Sequence, residues 1–155
     1  MANSIAQQSK MGNLILAVNA SSSSLKMSLF HLVPNTSSYP VPSGPTRALL
    51  ARASISRLMT DQPMLKYQRG LENVINVHVE VKSLVNAFKY ILPALLGDER
   101  SGAPARKEHV SHVCHRVVHG GEYTTPRVID EEVERYLESL MDLAPQYVGC
   151  PCSLW

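Results

Sequence analysis

Residues 14–30, LILAVNASSSSLKMSLF, constrain the fold more than any other part of the chain. Leu14, Ile15, Leu16, Ala17 and Val18 form a continuous apolar run of strand length, the pattern of a strand buried on both faces. Leu25, Met27 and Leu29 then alternate with Lys26 and Ser28, so a second strand follows at once, apolar on one face and polar on the other. Between the strands lie Asn19, Ala20 and the serines 21–24, a turn too polar to bury without a partner. Its backbone N–H groups and hydroxyls can converge on an anion, with Lys26 adding a point charge beside them. The amide oxygen of Asn19 can face a hydrated Mg²⁺. A serine-rich hairpin turn that binds nothing accounts for the same residues.

With 155 residues the chain has room for one domain with a sizeable core. A hydrophobic share of 45% against 18% charged residues is that of an ordinary soluble segment. The net charge of +2 comes from scattered basic residues and gives no electrostatic case for nucleic acid. Three cysteines, Cys114, Cys150 and Cys152, make no disulfide framework and favour a reducing compartment. The apolar run before Asn19 is too short for a signal-peptide core, and no stretch approaches the roughly 18 residues of a membrane span. A cytoplasmic protein without a membrane partner is the expectation.

Further along, residues 1–12 read as a polar, disordered extension and residues 34–46, PNTSSYPVPSGPT, as an exposed Pro/Ser loop. From Arg47 to Gly70 the pattern allows strands or a short helix. Val77, Val79 and Val81 alternate as in a strand. The clearest helix follows, where Leu84, Val85, Phe88, Ile91, Leu92, Leu95 and Leu96 make one wide stripe broken only by Pro93. Residues 109–118 then read as a strand entering His119, Gly120 and Gly121, a glycine pair that implies positive φ or a close approach. Asp130 is placed to cap a last helix whose Val133, Tyr136, Leu137, Leu140 and Met141 face a core, ending before Pro145.

Arg116, at the end of an apolar strand beside the glycine turn, can hold a carboxylate or phosphate bidentately or pair with an internal acid. His112 and His115 would point to opposite faces of that strand and so cannot share a metal ion. The serine run has no strained elbow of the kind a nucleophilic serine needs.

Taken together, AVNASSSSLK at 17–26, HRVVHGGE at 115–122 and LMDLAP at 140–145 resemble the acetate kinase (acetokinase) family, in which propionate and butyrate kinases stand close by. The resemblance implies an α/β, ribonuclease H-like fold of the acetate and sugar kinase, Hsp70 and actin superfamily: a mixed sheet with flanking helices, here the N-terminal domain over residues 13–145, with a tail at 146–155 outside the family pattern. It also implies phosphoryl transfer between ATP and acetate or another short-chain acid, with Mg²⁺ as cofactor, ADP and acetyl phosphate as products, and a homodimer.

By the same resemblance Asn19 helps place the metal, Ser22 and Ser24 line the phosphate turn, and Lys26 meets ATP phosphates. Arg116 holds the acetate carboxylate or the transferring phosphoryl group, and Val118 faces the substrate methyl. Ser21 replaces a family glycine, which would strain the turn by about 1 kcal/mol were its φ positive. The family's catalytic aspartate, histidine and second arginine are expected beyond the matched stretch. None of the residues here is therefore expected to be catalytic, and phosphate or partner binding without turnover is the alternative for the chain taken alone.

Overall fold

The computed structural model describes residues 13–33, 46–69, 75–97, 106–117 and 120–140. Its centre is a six-stranded sheet built from β1 (Leu14–Ser21), β2 (Ser24–Val33), β3 (Thr46–Ser56), β4 (Met64–Arg69), β5 (Ile75–His78) and β6 (Val110–His115), in the order β5-β4-β3-β2-β1-β6. The first five strands form an antiparallel meander, while β6 lies parallel to β1. A parallel pair needs a crossover, and it is supplied between β5 and β6 by α1 (Leu84–Leu96). A second helix, α2 (Glu131–Ser139), follows β6.

One face of the sheet forms the core. Leu14, Leu16 and Val18 of β1, Leu25, Met27 and Leu29 of β2, and Ala51, Ala53 and Ile55 of β3 are buried there, together with Ala87, Phe88, Ile91, Leu92, Leu95 and Leu96 of α1. The small alanines of β3 let the helix approach closely, and the branched side chains around them fill the layer. The helix begins where Ser83 accepts a hydrogen bond from the Asn86 backbone N–H at 3.1 Å. Pro93 sits on its exposed side without ending it, and Gly97 closes it by donating its N–H to the Pro93 carbonyl at 2.7 Å.

The expected strands β1 and β2 and the expected helix α1 are present. The ambiguous region after Arg47 is two strands, β3 and β4. Other expectations need correction. β1 is buried on one face only, because Ile15, Ala17 and Asn19 on the other are half-buried. Val85 is exposed and Ala87 takes its place in the helix stripe. Val77 lies on the exposed edge strand β5, and only Val79 and Val81, beyond its end, reach the core. The strand foreseen over 109–118 spans Val110–His115, and most of it is exposed because β6 borders the described sheet. The loop at 34–45, residues 1–12 and everything from Met141 onward, including the expected helix stop at Pro145 and the tail, lie outside the described residues.

Candidate functional site

In open α/β sheets ligands collect beyond the carboxyl ends of parallel strands. Here β1 and β6 are the parallel pair, and the residues singled out in the sequence gather at their carboxyl ends. Asn19 and Lys26 are direct cross-strand partners on β1 and β2, and two rungs later Ser21 faces Ser24. The hairpin therefore turns on Ser22 and Ser23, both exposed. Ser21 and Ser24 join their hydroxyls at 2.8 Å, and the buried Leu25 anchors the start of β2 beneath them.

Arg116 leaves β6 at the same place. Its backbone N–H donates to the Val18 carbonyl at 3.0 Å, one residue before Asn19, so the two chains run side by side to this point. Because side chains alternate along a strand, Asn19, Lys26 and Arg116 belong to one face of the sheet, opposite the core. The Arg116 side chain is exposed. Of the two partners open to it, an internal acid and an external anion, the structure removes the need for the first: at the border of the described sheet the side chain is exposed to solvent. Val118 and His119 lie outside the described residues.

The register extends the site in a way the sequence did not disclose. Asn19, Lys26, Ser54, Lys66 and Asn76 fall in one row across β1 to β5, and Ser28, Arg52 and Gln68 fall in the next. Lysines 26 and 66 are then about 10 Å apart at the usual strand spacing. No local signal marks this row, since it exists only once the pairing of separate strands is fixed.

The strain foreseen at Ser21 is absent. Among the described residues Arg57 is the only non-glycine with positive φ, at 60°, and it stands in the connection after β3 that supports the hairpin. Leu58, next to it and buried, donates its N–H to the Ser23 carbonyl at 3.0 Å.

Behind Arg116 the chain is held by α2. Asp130 caps this helix as expected, accepting from the Glu132 and Val133 N–H groups at 3.1 and 2.9 Å. Tyr136 accepts the Glu122 N–H at 3.0 Å on its hydroxyl, and its ring packs edge-on against Tyr123 at 4.8 Å, with the Arg127 guanidinium 5.0 Å from the Tyr123 ring centre. Gly121 adopts φ +59, and a Cβ there would collide with the Tyr136 hydroxyl. Gly121 thus shows both properties inferred for the glycine pair, positive φ and close approach, and Gly120 shows the second, since a Cβ there would stand 3.1 Å from the Tyr123 carbonyl oxygen.

His115, one residue before Arg116, has both ring nitrogens buried without a hydrogen-bond partner. Burial lowers its pKa below 6.5, opposed by the neighbouring Arg116 backbone, which lies outside good hydrogen-bond geometry. Among the described residues no group of three or more His, Cys, Asp or Glu side chains is placed to hold a metal ion. Nor is any described helix long and apolar enough to cross a membrane.

Comparison with known proteins bears on the family and the fold. Residues 14–150 match the model of the acetokinase family. A probable acetate kinase of Neurospora crassa is 37% identical over 150 residues, covering 94% of this chain, and an acetate kinase of Caldanaerobacter subterraneus is 33% identical over 132 residues, covering 84%. In both cases the chain spans 30% of the relative's length. The crystal structure of Porphyromonas gingivalis acetate kinase superposes with a TM-score of 0.68 at 24% identity, over 87% of this chain and 31% of that one. A Francisella tularensis propionate kinase does so with a TM-score of 0.62 at 24% identity, over 86% of this chain and 30% of its own.

Proposed function

The chain belongs to the acetokinase family, and on that premise we propose that it forms one wall of a phosphotransferase site that moves a phosphoryl group between ATP and acetate or a related short-chain acid. The observation that carries this reading is the convergence of Asn19, the serine hairpin, Lys26 and the start of the Arg116 loop at the carboxyl ends of the parallel strands.

Phosphoryl transfer asks a protein mainly to position the reactants and neutralise charge. The hairpin supplies short donors, Ser22 and Ser24 among them, that follow phosphate oxygens. Lys26 supplies a point charge, and the planar fork of Arg116 holds two oxygens of a carboxylate or phosphoryl group. Val118 would face the acid's methyl group. Mg²⁺ usually keeps several waters and takes few protein ligands beside phosphates, so one amide oxygen, that of Asn19, fits an ion carried in by the nucleotide. Bound there, the ion would draw charge from the phosphate oxygens.

The chain spans about 30% of the length of the relatives it matches, and residues 1–155 by themselves are expected to bind phosphate without turnover, because positioning in a cleft comes from both sides. Hydroxamate detection of acetyl phosphate from residues 1–155 with Mg-ATP and acetate, beside thermal stabilisation by phosphate, tests both parts. The expected result is stabilisation that Arg116→Ala abolishes, with no acetyl phosphate formed. Stabilisation unchanged in Arg116→Ala contradicts the site, and acetyl phosphate production lost in Arg116→Ala contradicts the claim that a second wall is needed.

A further inference from the structure

Arg57 holds the one left-handed backbone among the described non-glycine residues, and it sits against the phosphate hairpin. Its neighbours fix that placement from both sides. Ser56, before it, is the cross-strand partner of Ser24, and Leu58, after it, donates its N–H to the Ser23 carbonyl at 3.0 Å. The connection is locked further on, where Thr60 donates both its N–H and its hydroxyl to the Arg57 carbonyl at 3.0 and 2.9 Å.

A left-handed arginine is disfavoured by contact between Cβ and the following carbonyl, and the usual occupants of such positions are glycine or asparagine. Nothing in the packing asks for a long side chain here, because the core contact of this connection is made by Leu58 and the Arg57 side chain is exposed. Strained residues of this kind concentrate at ligand clamps. The cation is thus kept at a backbone cost, one turn away from serines that have no charge of their own.

We propose that Arg57 is a further phosphate-contacting residue of the site, reaching the ligand from the β3 side of the hairpin while Lys26 serves it from the β2 face. The assignment rests on the phosphotransferase reading above. Arginine suits the place better than lysine, since its fork can take two phosphate oxygens and its charge does not titrate.

The test compares inorganic phosphate and pyrophosphate binding by calorimetry to residues 1–155, to Arg57→Gln and to Arg57→Gly, with Lys26→Ala as reference. Removing one charge-assisted contact is expected to weaken binding about tenfold in both Arg57 variants. Arg57→Gly should at the same time raise the thermal midpoint by about 2–4 °C, because glycine relieves the backbone. Loss for both anions supports a contact to the phosphoryl group nearest the hairpin, and loss for pyrophosphate alone supports a contact to the second phosphate. Unchanged affinity in both Arg57 variants, with Lys26→Ala impaired, overturns the assignment and leaves the site intact. Absence of any anion binding by the parent chain defeats the site reading and this one with it.

Discussion

Substituting Gly121 by alanine is the sharpest structural test, because Gly121 joins the Arg116 loop to α2. Alanine at φ +59 brings its Cβ against the following carbonyl, a cost of about 1–2 kcal/mol. The same Cβ would stand 2.8 Å from Leu140 Cδ1 and collide with the Tyr136 hydroxyl, and forced packing of this kind adds about 1–3 kcal/mol. Together Gly121→Ala should lose about 2–5 kcal/mol in urea unfolding, or roughly 4–20 °C in thermal midpoint for a chain of this size. Tyr136→Phe removes the acceptor of the Glu122 N–H and by itself should cost about 1 kcal/mol. It also removes the hydroxyl that the new Cβ meets. The double variant should therefore lose less than the two singles combined, with a coupling of at least about 0.5 kcal/mol. A loss below about 0.5 kcal/mol for Gly121→Ala, smaller than the left-handed backbone cost by itself, would refute the reasoning.

Three further outcomes are expected. Leu16→Ala, at a residue 0% exposed between sheet and helix, should cost about 2–5 kcal/mol in chemical unfolding. Asp130→Ala should cost about 1 kcal/mol through loss of the α2 cap, whereas Asp130→Asn, which keeps the accepting oxygen, should cost less. For His115 the folded pKa is held below 6.5 by burial, so between the two values the unfolded chain binds a proton that the folded chain does not. Stability is then full above pH 6.5 and falls as the pH drops toward the folded value. Urea midpoints measured from pH 8 down to 5 should show the fall, and a His115→Gln variant that falls as steeply would count against it.

What the sequence disclosed followed from how local the signal was. The α1 stripe repeats with the helical period over more than three turns, and Asp130 caps with its own side chain, so both are readable without tertiary knowledge. The β1 and β2 pair was readable because only a short polar turn separates an apolar run from an alternating one. β3 was not. Its Ala51, Ala53 and Ile55 do alternate with Arg52 and Ser54, but alanine and arginine favour helix, and the preference was settled by the neighbours on either side.

The site divides in the same way. Asn19, Lys26 and Arg116 were singled out as candidates from residue type and order, and the opposition of Asn19 to Lys26 follows once the hairpin turns on Ser22 and Ser23. For Arg116 the sequence left an internal acid and an external anion equally open, because its apolar neighbours suggested an interior strand, whereas β6 borders the described sheet. The register neighbours Ser54 and Lys66 and the proposed contact Arg57 were invisible. The first two join the row only through register, and arginine carries no sequence mark of positive φ.

The central claim is that Asn19, the serine hairpin, Lys26 and Arg116 hold one phosphoryl group together. Titrating acetyl phosphate into ¹⁵N-labelled residues 1–155 and following amide shifts tests it most directly. The account predicts saturable shifts at Asn19, Ser22 to Ser24, Lys26 and Arg116, and their loss in Lys26→Ala. Shifts confined to other parts of the sheet, or none at these residues at saturating ligand, would contradict it.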